Sequence, residues 1–141
     1  MMRLLVALDG SEVSSRALEY AIGLRDKLSV PLALELVNVQ PPMTAAVARF
    51  VSREVIDEYH EEQGEEVLAP ARAQVEAAGV TFNCGVLVGR DAEALLEHAE
   101  NHACDGIVMG TRGLGSVTGL LMGSVASKVV HGALVPVTLV R

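Results

Sequence analysis

The chain has 141 residues, about one domain's length, and half of them are apolar, so one compact unit spanning 1–141 with its own core is expected. Only Tyr20, Phe50, Tyr59 and Phe82 are aromatic, which leaves Val, Leu, Ile and Ala to build that core. A net charge of −7 argues against a nucleic-acid partner, whose binding rests on Lys and Arg neutralising phosphates, but leaves room for one small anion.

The opening MMRLLVALDG holds one Arg and a five-residue apolar run stopped by Asp9, too short for a signal peptide or a membrane span. No membrane insertion is expected, and a cytoplasmic location is. Residues 3–8, RLLVAL, read as a buried strand that ends at Asp9-Gly10-Ser11: an acid, a glycine and a helix-capping residue. Val13, Ala17, Ala21, Leu24 and Leu28 then recur at helical spacing, and 32–39, LALELVNV, form a second apolar strand closed by Pro41-Pro42. Residues 43–53 carry little periodicity and are expected to be a mobile connection.

A long helix follows to Ala78, with a bend or break expected near Gly64 and Pro70. Seven of the thirteen residues from Glu54 to Glu66 are acidic, which reads as a solvated face. Gly79 suits a helix C-cap, VTFNCGVLVG suits a third strand, and Gly89-Arg90-Asp91 turns into a helix with Ala92, Leu95, Leu96 and Ala99 on its apolar face. Residues 105–109 form a fourth strand, Ser124 to His131 a last helix and 135–140 a fifth strand. The order βαβαβαβαβ predicts an α/β fold: an open five-stranded parallel sheet with helices on both faces, and any ligand at the carboxyl ends of the strands, where the winding reverses. Asp9 and Gly110 are predicted to sit at such ends.

Residues 110–125 read GTRGLGSVTGLLMGSV. The P-loop pattern fails because Ser116 stands where lysine belongs, and the dinucleotide fingerprint fails because Thr118 stands where its third glycine belongs. What fits is Gly110, Gly113, then Gly123-Ser124: G-x-x-G, nine residues, G-[ST]. Two glycines three apart are expected to turn the chain with positive φ and bring bare amides near a ligand, and Gly123-Ser124 to open a helix whose first amides have no internal partner. Those amides and the helix dipole suit a phosphate; Ser124 adds a hydroxyl, and Val125 and Ala126 add N–H groups. A glycine loop that merely turns is the bland alternative.

Together with VALDGSE at the end of the first strand, LVNV, the turn from Val86 to Gly89, DGIVMG and VPVTLV, this loop resembles that of the universal stress protein family in its ATP-binding branch, over essentially the whole chain. The resemblance implies a Rossmann-like fold of the adenine nucleotide alpha hydrolase type with strand order 3-2-1-4-5. It implies that Leu8, Asp9 and Gly10 border the nucleotide, that Val39 meets the base through its backbone, and that Met109 and Gly110 lie under the sugar. Asp9 then binds ribose or, through magnesium, the phosphates; capping the first helix is its structural alternative. Arg112 reaches either a phosphate oxygen or solvent. Ala126 departs from relatives that carry a hydroxyl there. The ligand implied is ATP, or ADP or AMP, with or without magnesium.

Other chemistry finds less support. His98, His102 and Cys104 invite a zinc reading, but the pattern is H-A-E-N-H and no fourth ligand is placed by sequence, so exposed histidines near a helix end are expected. Cys84 and Cys104 read as buried free thiols. Ser11, Ser14 and Ser15 lack a nucleophile elbow, and no catalytic residue is assigned. Three function classes remain: a nucleotide-binding regulator, a slow ATPase or other ATP-using enzyme, and a relative that binds no nucleotide and acts by protein contact with an unidentified partner. The intact glycine set favours the first. The charge-free edge VPVTLV at 135–140 is expected to pair with its own copy in a homodimer.

Overall fold

A computed structural model describes residues 1–113 and 121–141. Five strands, β1 (Met2–Ala7), β2 (Leu32–Gln40), β3 (Thr81–Val88), β4 (Gly106–Gly110) and β5 (Val137–Val140), form one parallel sheet in the order β3-β2-β1-β4-β5. The winding reverses between the adjacent strands β1 and β4. Helices cover both faces: α1 (Glu12–Gly23) and α3 (Arg53–Ala78) on one, α4 (Asp91–Asn101) and α5 (Ser124–Gly132) on the other.

Strand periodicity divides the core into two layers. Leu4, Val6, Leu34, Leu36 and Val108 point to α1 and α3, where Ala17, Leu18, Ala21, Leu68, Ala71 and Val75 receive them. Leu5, Val37, Ile107 and Met109 point the other way, onto Ala92, Leu95, Ala99, Ala126 and Val129. Small residues on the helices let them sit close to a sheet of branched side chains. Gly64 on α3 shows how close: a Cβ there would run into the side chain of Val86 on β3.

Several expectations are corrected. Residues 43–53 contain a short helix, α2 (Ala45–Ala48), because the Thr44 hydroxyl accepts from the Val47 amide and caps it. The long helix is not broken at Gly64 or Pro70; it runs continuously for 26 residues, from the Ser52 cap to Gly79 at φ 69°. The sheet packing of Leu68, Ala71 and Val75 outweighs the backbone hydrogen bond that Pro70 removes. The last strand covers only 137–140 of the expected 135–140. All seven acids between Glu54 and Glu66 are exposed, as a solvated face requires.

Candidate functional site

The carboxyl rim at the β1/β4 reversal brings together most of the residues singled out from the sequence. At the end of β1 the Leu8 amide donates to the Val37 carbonyl of β2 at 2.9 Å, and the Leu8 carbonyl accepts from Asn38 Nδ2 at 2.8 Å. Asn38 is 3% exposed, and its own Oδ1 accepts from Gln40 Nε2 at 2.7 Å. A buried polar network of this kind fixes the strand end from which Asp9 projects. In the sequence Asn38 counted only as part of LVNV and was given no role; its signal was a polar residue inside a largely apolar strand.

Asp9 does not cap α1. Its Oδ1 accepts from the Ser11 amide at 2.8 Å, while Ser11 itself is the cap, accepting from Ser14 N at 3.1 Å. The carboxylate is therefore held one step outside the helix. Gly10 between them adopts φ 85°, a left-handed conformation that side-chain-bearing residues rarely take, and this lets β1 turn at once into α1.

The glycines of the loop work differently from expectation. Among the described residues only Gly10 and Gly79 are glycines with positive φ, so Gly110 and Gly113 are needed for close approach and not for a left-handed turn. A Cβ on Gly110, the last residue of β4, would lie 2.5 Å from Val13 Cγ1 and 3.1 Å from the Arg112 carbonyl. One on Gly113 would lie 2.5 Å from Asp9 Oδ2. The loop thus leaves the sheet pressed against the start of α1 and then against the Asp9 carboxylate.

Its two stems meet. The Gly123 amide donates to the Thr111 carbonyl at 2.6 Å, and the Thr111 amide to Val140 of β5 at 2.9 Å. The chain is thus joined at 111 and 123; residues 114–120 between them lie outside the described residues. Gly123 is the N-cap of α5, and the first bond within that helix runs from the Ser127 amide to the Gly123 carbonyl. The amides of Ser124, Val125 and Ala126 precede it, so the helix itself offers them no acceptor. Ser124 is exposed; the Ala126 methyl is buried against the sheet, which leaves only its amide to face a ligand.

Val39 and Met109 lie on neighbouring sides of this rim, Met109 buried in β4 and Val39 half-buried near the end of β2. Arg112 is half-buried beside Gly113. One charged residue was missed: Asp91 at the start of α4. Desolvation, then the nearby Asp9 carboxylate, push its pKa above the usual carboxylate range, with Lys128 of α5 pulling the other way. Its signal, an acid opening a helix at a strand's carboxyl end, is too common to have marked it.

Away from this rim, Cys104 is a buried free thiol, as expected, with its pKa pushed up to about 11, chiefly by burial and then by the Glu35 carboxylate. Cys84 is free but half-exposed, a correction, because β3 is the outer strand at its end of the sheet. His98 is also not exposed: it turns inward onto Glu35 of β2. An apolar cleft of about 260 Å³ between α4, α5 and β4, lined by Leu96, Ala99, Ile107 and Leu134, lies at the other end of the molecule and has no cluster of donors for a phosphate. No helix among the described residues is long and apolar enough to cross a membrane.

Comparison with known proteins agrees with this geometry. The model of the universal stress protein family matches residues 1–141. The universal stress protein MJ0531 of Methanocaldococcus jannaschii is 33% identical over 140 residues, covering 99% of this chain and 81% of its own. A universal stress protein of Thermus aquaticus is 37% identical over 139 residues, covering 98% and 97%. Among solved structures, UspA of Lactobacillus plantarum superposes with a TM-score of 0.82 at 20% identity, over 99% of this chain and 97% of that one. A family protein of Arabidopsis thaliana with AMP bound gives 0.71 at 20% identity, covering 99% and 90%. The Archaeoglobus fulgidus universal stress protein in complex with dAMP gives 0.68 at 22%, covering 100% and 98%.

Proposed function

Because the chain belongs to the universal stress protein family, we propose that it is a nucleotide-binding regulatory protein that holds ATP, or ADP or AMP, at the rim between β1 and β4. The observation that carries this reading is the joining of the loop stems. Through the Gly123 to Thr111 hydrogen bond, the first amides of α5 are fixed beside the end of β4. Three amides without an acceptor in the helix, with a helix dipole behind them, suit an anion site that needs no lysine. AMP in the Arabidopsis structure and dAMP in the Archaeoglobus structure support an adenine nucleotide as the ligand.

In this reading the phosphates meet the amides of Ser124, Val125 and Ala126 and the Ser124 hydroxyl. The sugar rests on Met109 and Gly110, and the base meets the backbone at Val39. Leu8, Asp9 and Gly10 form the opposite wall, where the Asp9 charge suits the ribose hydroxyls or a magnesium ion carried in with the phosphates. Arg112 and Gly113 close the loop side. Backbone amides bind a triphosphate without orienting a water for attack, so occupancy is the output and no catalytic residue is assigned.

A homodimer completes the proposal. The edge strand β5 gives its inner hydrogen bonds to β4: the Pro136 carbonyl accepts from Ile107 and the Val140 carbonyl from Thr111. By the alternation of a parallel ladder, Val137 and Leu139 turn their backbone groups outward. Leu134, 89% exposed, lies beside this edge, and no charge blocks it before Arg141. A cytoplasmic, stress-linked role, with a further protein partner reading the occupied state, fits the family. Native mass spectrometry of the untagged protein as purified tests the reading: a retained adenine nucleotide on a dimer is expected, and a protein that neither retains nor takes up a nucleotide removes it.

A further inference from the structure

Away from the loop, where the last turn of α4 lies over the sheet, three side chains converge whose donor atoms lie within 4.8 Å of one another: Glu35 of β2, and His98 and His102, on and just past that turn. We propose that they form a binding site for a divalent transition-metal ion of the zinc class, with one position open to solvent. The site owes nothing to the nucleotide reading.

Glu35 is the first reason. It faces the α4 side of the sheet, in register with Leu5 of β1 and Asn83 of β3, and its side chain is only 5% exposed. An acid in the middle of a strand otherwise written L-A-L-x-L-V is costly to bury without a cation or strong donors. Asn83 Nδ2 donates to its Oε1 at 2.9 Å, which fixes the carboxylate and turns Oε2 toward His98.

The second reason is a distance. His98 Nε2 lies 3.3 Å from Glu35 Oε2, long for a charge-assisted hydrogen bond. Two ligands bound to one tetrahedral zinc at about 2.0–2.2 Å are themselves separated by about 3.3–3.5 Å. The pair already has the spacing that a shared ion imposes, provided His98 carries its proton on Nδ1.

The third reason is the state of His102. It sits four residues after His98 on the same helical face, the two rings stacked with centroids 3.8 Å apart. Its Nδ1 lies 3.0 Å from the His98 carbonyl, an oxygen that only accepts, so Nδ1 carries the proton and Nε2 presents a lone pair. A ligating histidine is typically held in this way, its other nitrogen donating to a carbonyl. His102 is exposed, so its ring can reorient toward Glu35 and His98, and the ion has an entry path. Two imidazoles and one carboxylate favour zinc, cobalt, nickel or copper over magnesium or calcium.

The zinc reading available from sequence counted His98, His102 and Cys104 and had no fourth ligand; Glu35 was not among its candidates. The sheet supplies it from 63 residues away.

The test uses the full chain without a histidine tag, stripped by chelator and titrated with Zn²⁺, and with Co²⁺ as a spectroscopic probe. One equivalent should bind, Co²⁺ should give the intense visible absorption of a four-coordinate ion, and Zn²⁺ should raise the melting temperature. His102→Ala, at an exposed position, should weaken binding at least tenfold with the fold intact, and Glu35→Gln on the order of 100-fold, as loss of a ligand should cost at least what loss of a supporting residue does. Exchanging His131, exposed on α5, should change nothing. If Zn²⁺ binds no more tightly to the parent than to His102→Ala, or if Co²⁺ stays six-coordinate, the cluster is only a buried ion pair and the proposal fails.

Discussion

Gly113 lies against Asp9 so closely that a Cβ on the glycine would sit 2.5 Å from the carboxylate oxygen Oδ2. The loop after β4 and the end of β1 are thus shaped to each other at the spot where the winding reverses. Asp9 has little room to retreat, because Oδ1 is tied to the Ser11 amide. Gly113→Val should therefore displace either the carboxylate or the loop and weaken nucleotide binding at least tenfold, about 1.4 kcal/mol. Gly113 is exposed, so circular dichroism should show an intact fold. Gly110 is the contrasting case: it is buried against Val13, and Gly110→Ala should cost about 1–3 kcal/mol of stability by overpacking, read in a urea melt. A Gly113 variant that binds as tightly as the parent would reduce the loop to a connection.

Asn38 is expected to matter for stability as well as for the site. Removing its side chain leaves the Leu8 carbonyl without its donor in a buried position. Asn38→Ala should destabilise the fold by about 2 kcal/mol and lower nucleotide affinity with it, since Asp9 follows directly on the released strand end. Loss of stability with unchanged affinity in the folded fraction would separate the strand end from the site.

Asp91 sets a pH dependence of definite sign. Its folded pKa is raised, first by desolvation and then by Asp9, so its protonated form is favoured by folding. That contribution is present below the unfolded carboxylate value and is lost as pH rises through the folded one; at neutral pH the ionised group opposes the fold and any anionic ligand. Asp91→Asn should raise the melting temperature more at pH 7 than at pH 4. Because the group is exposed and screened, the gain in nucleotide affinity should be small, about twofold to threefold. A weaker-binding Asp91→Asn would instead mark Asp91 as part of a magnesium site.

The alternation of strands and helices and both helical layers were legible because the apolar runs are short, the helical spacings clean and the glycines and prolines placed between elements, whereas the strand order came from the family resemblance. The misreadings came from local rules overruled by packing. Pro70 reads as a helix break until Leu68, Ala71 and Val75 are seen against the sheet, and the segment after Pro42 reads as structureless because a four-residue helix has too few residues to show a period. At the candidate site the residues were found but not all of their reasons. The loop glycines are required by contacts with Val13 and Asp9, from elements a hundred residues earlier, and no local pattern reports a contact of that range. For the same reason Glu35 could not be joined to His98 in advance.

The edge strand gives a direct test of assembly. Val137 is the first residue of β5, where proline is tolerated, and its amide faces away from β4. Val137→Pro should abolish pairing through this edge while the monomer stays folded. Light scattering at micromolar concentration should report a dimer for the parent and a monomer for the variant. A variant that remains dimeric would place the interface elsewhere.

The binding reading is tested most directly by calorimetric titration of the nucleotide-free chain with ATP, ADP and AMP, each with and without magnesium. Saturable binding of one adenine nucleotide per chain is expected, lost or weakened at least tenfold in Gly113→Val, with ATP turnover far below a typical enzyme's roughly 10 per second. Absence of saturable binding to any of the three by a protein shown to be folded would contradict it.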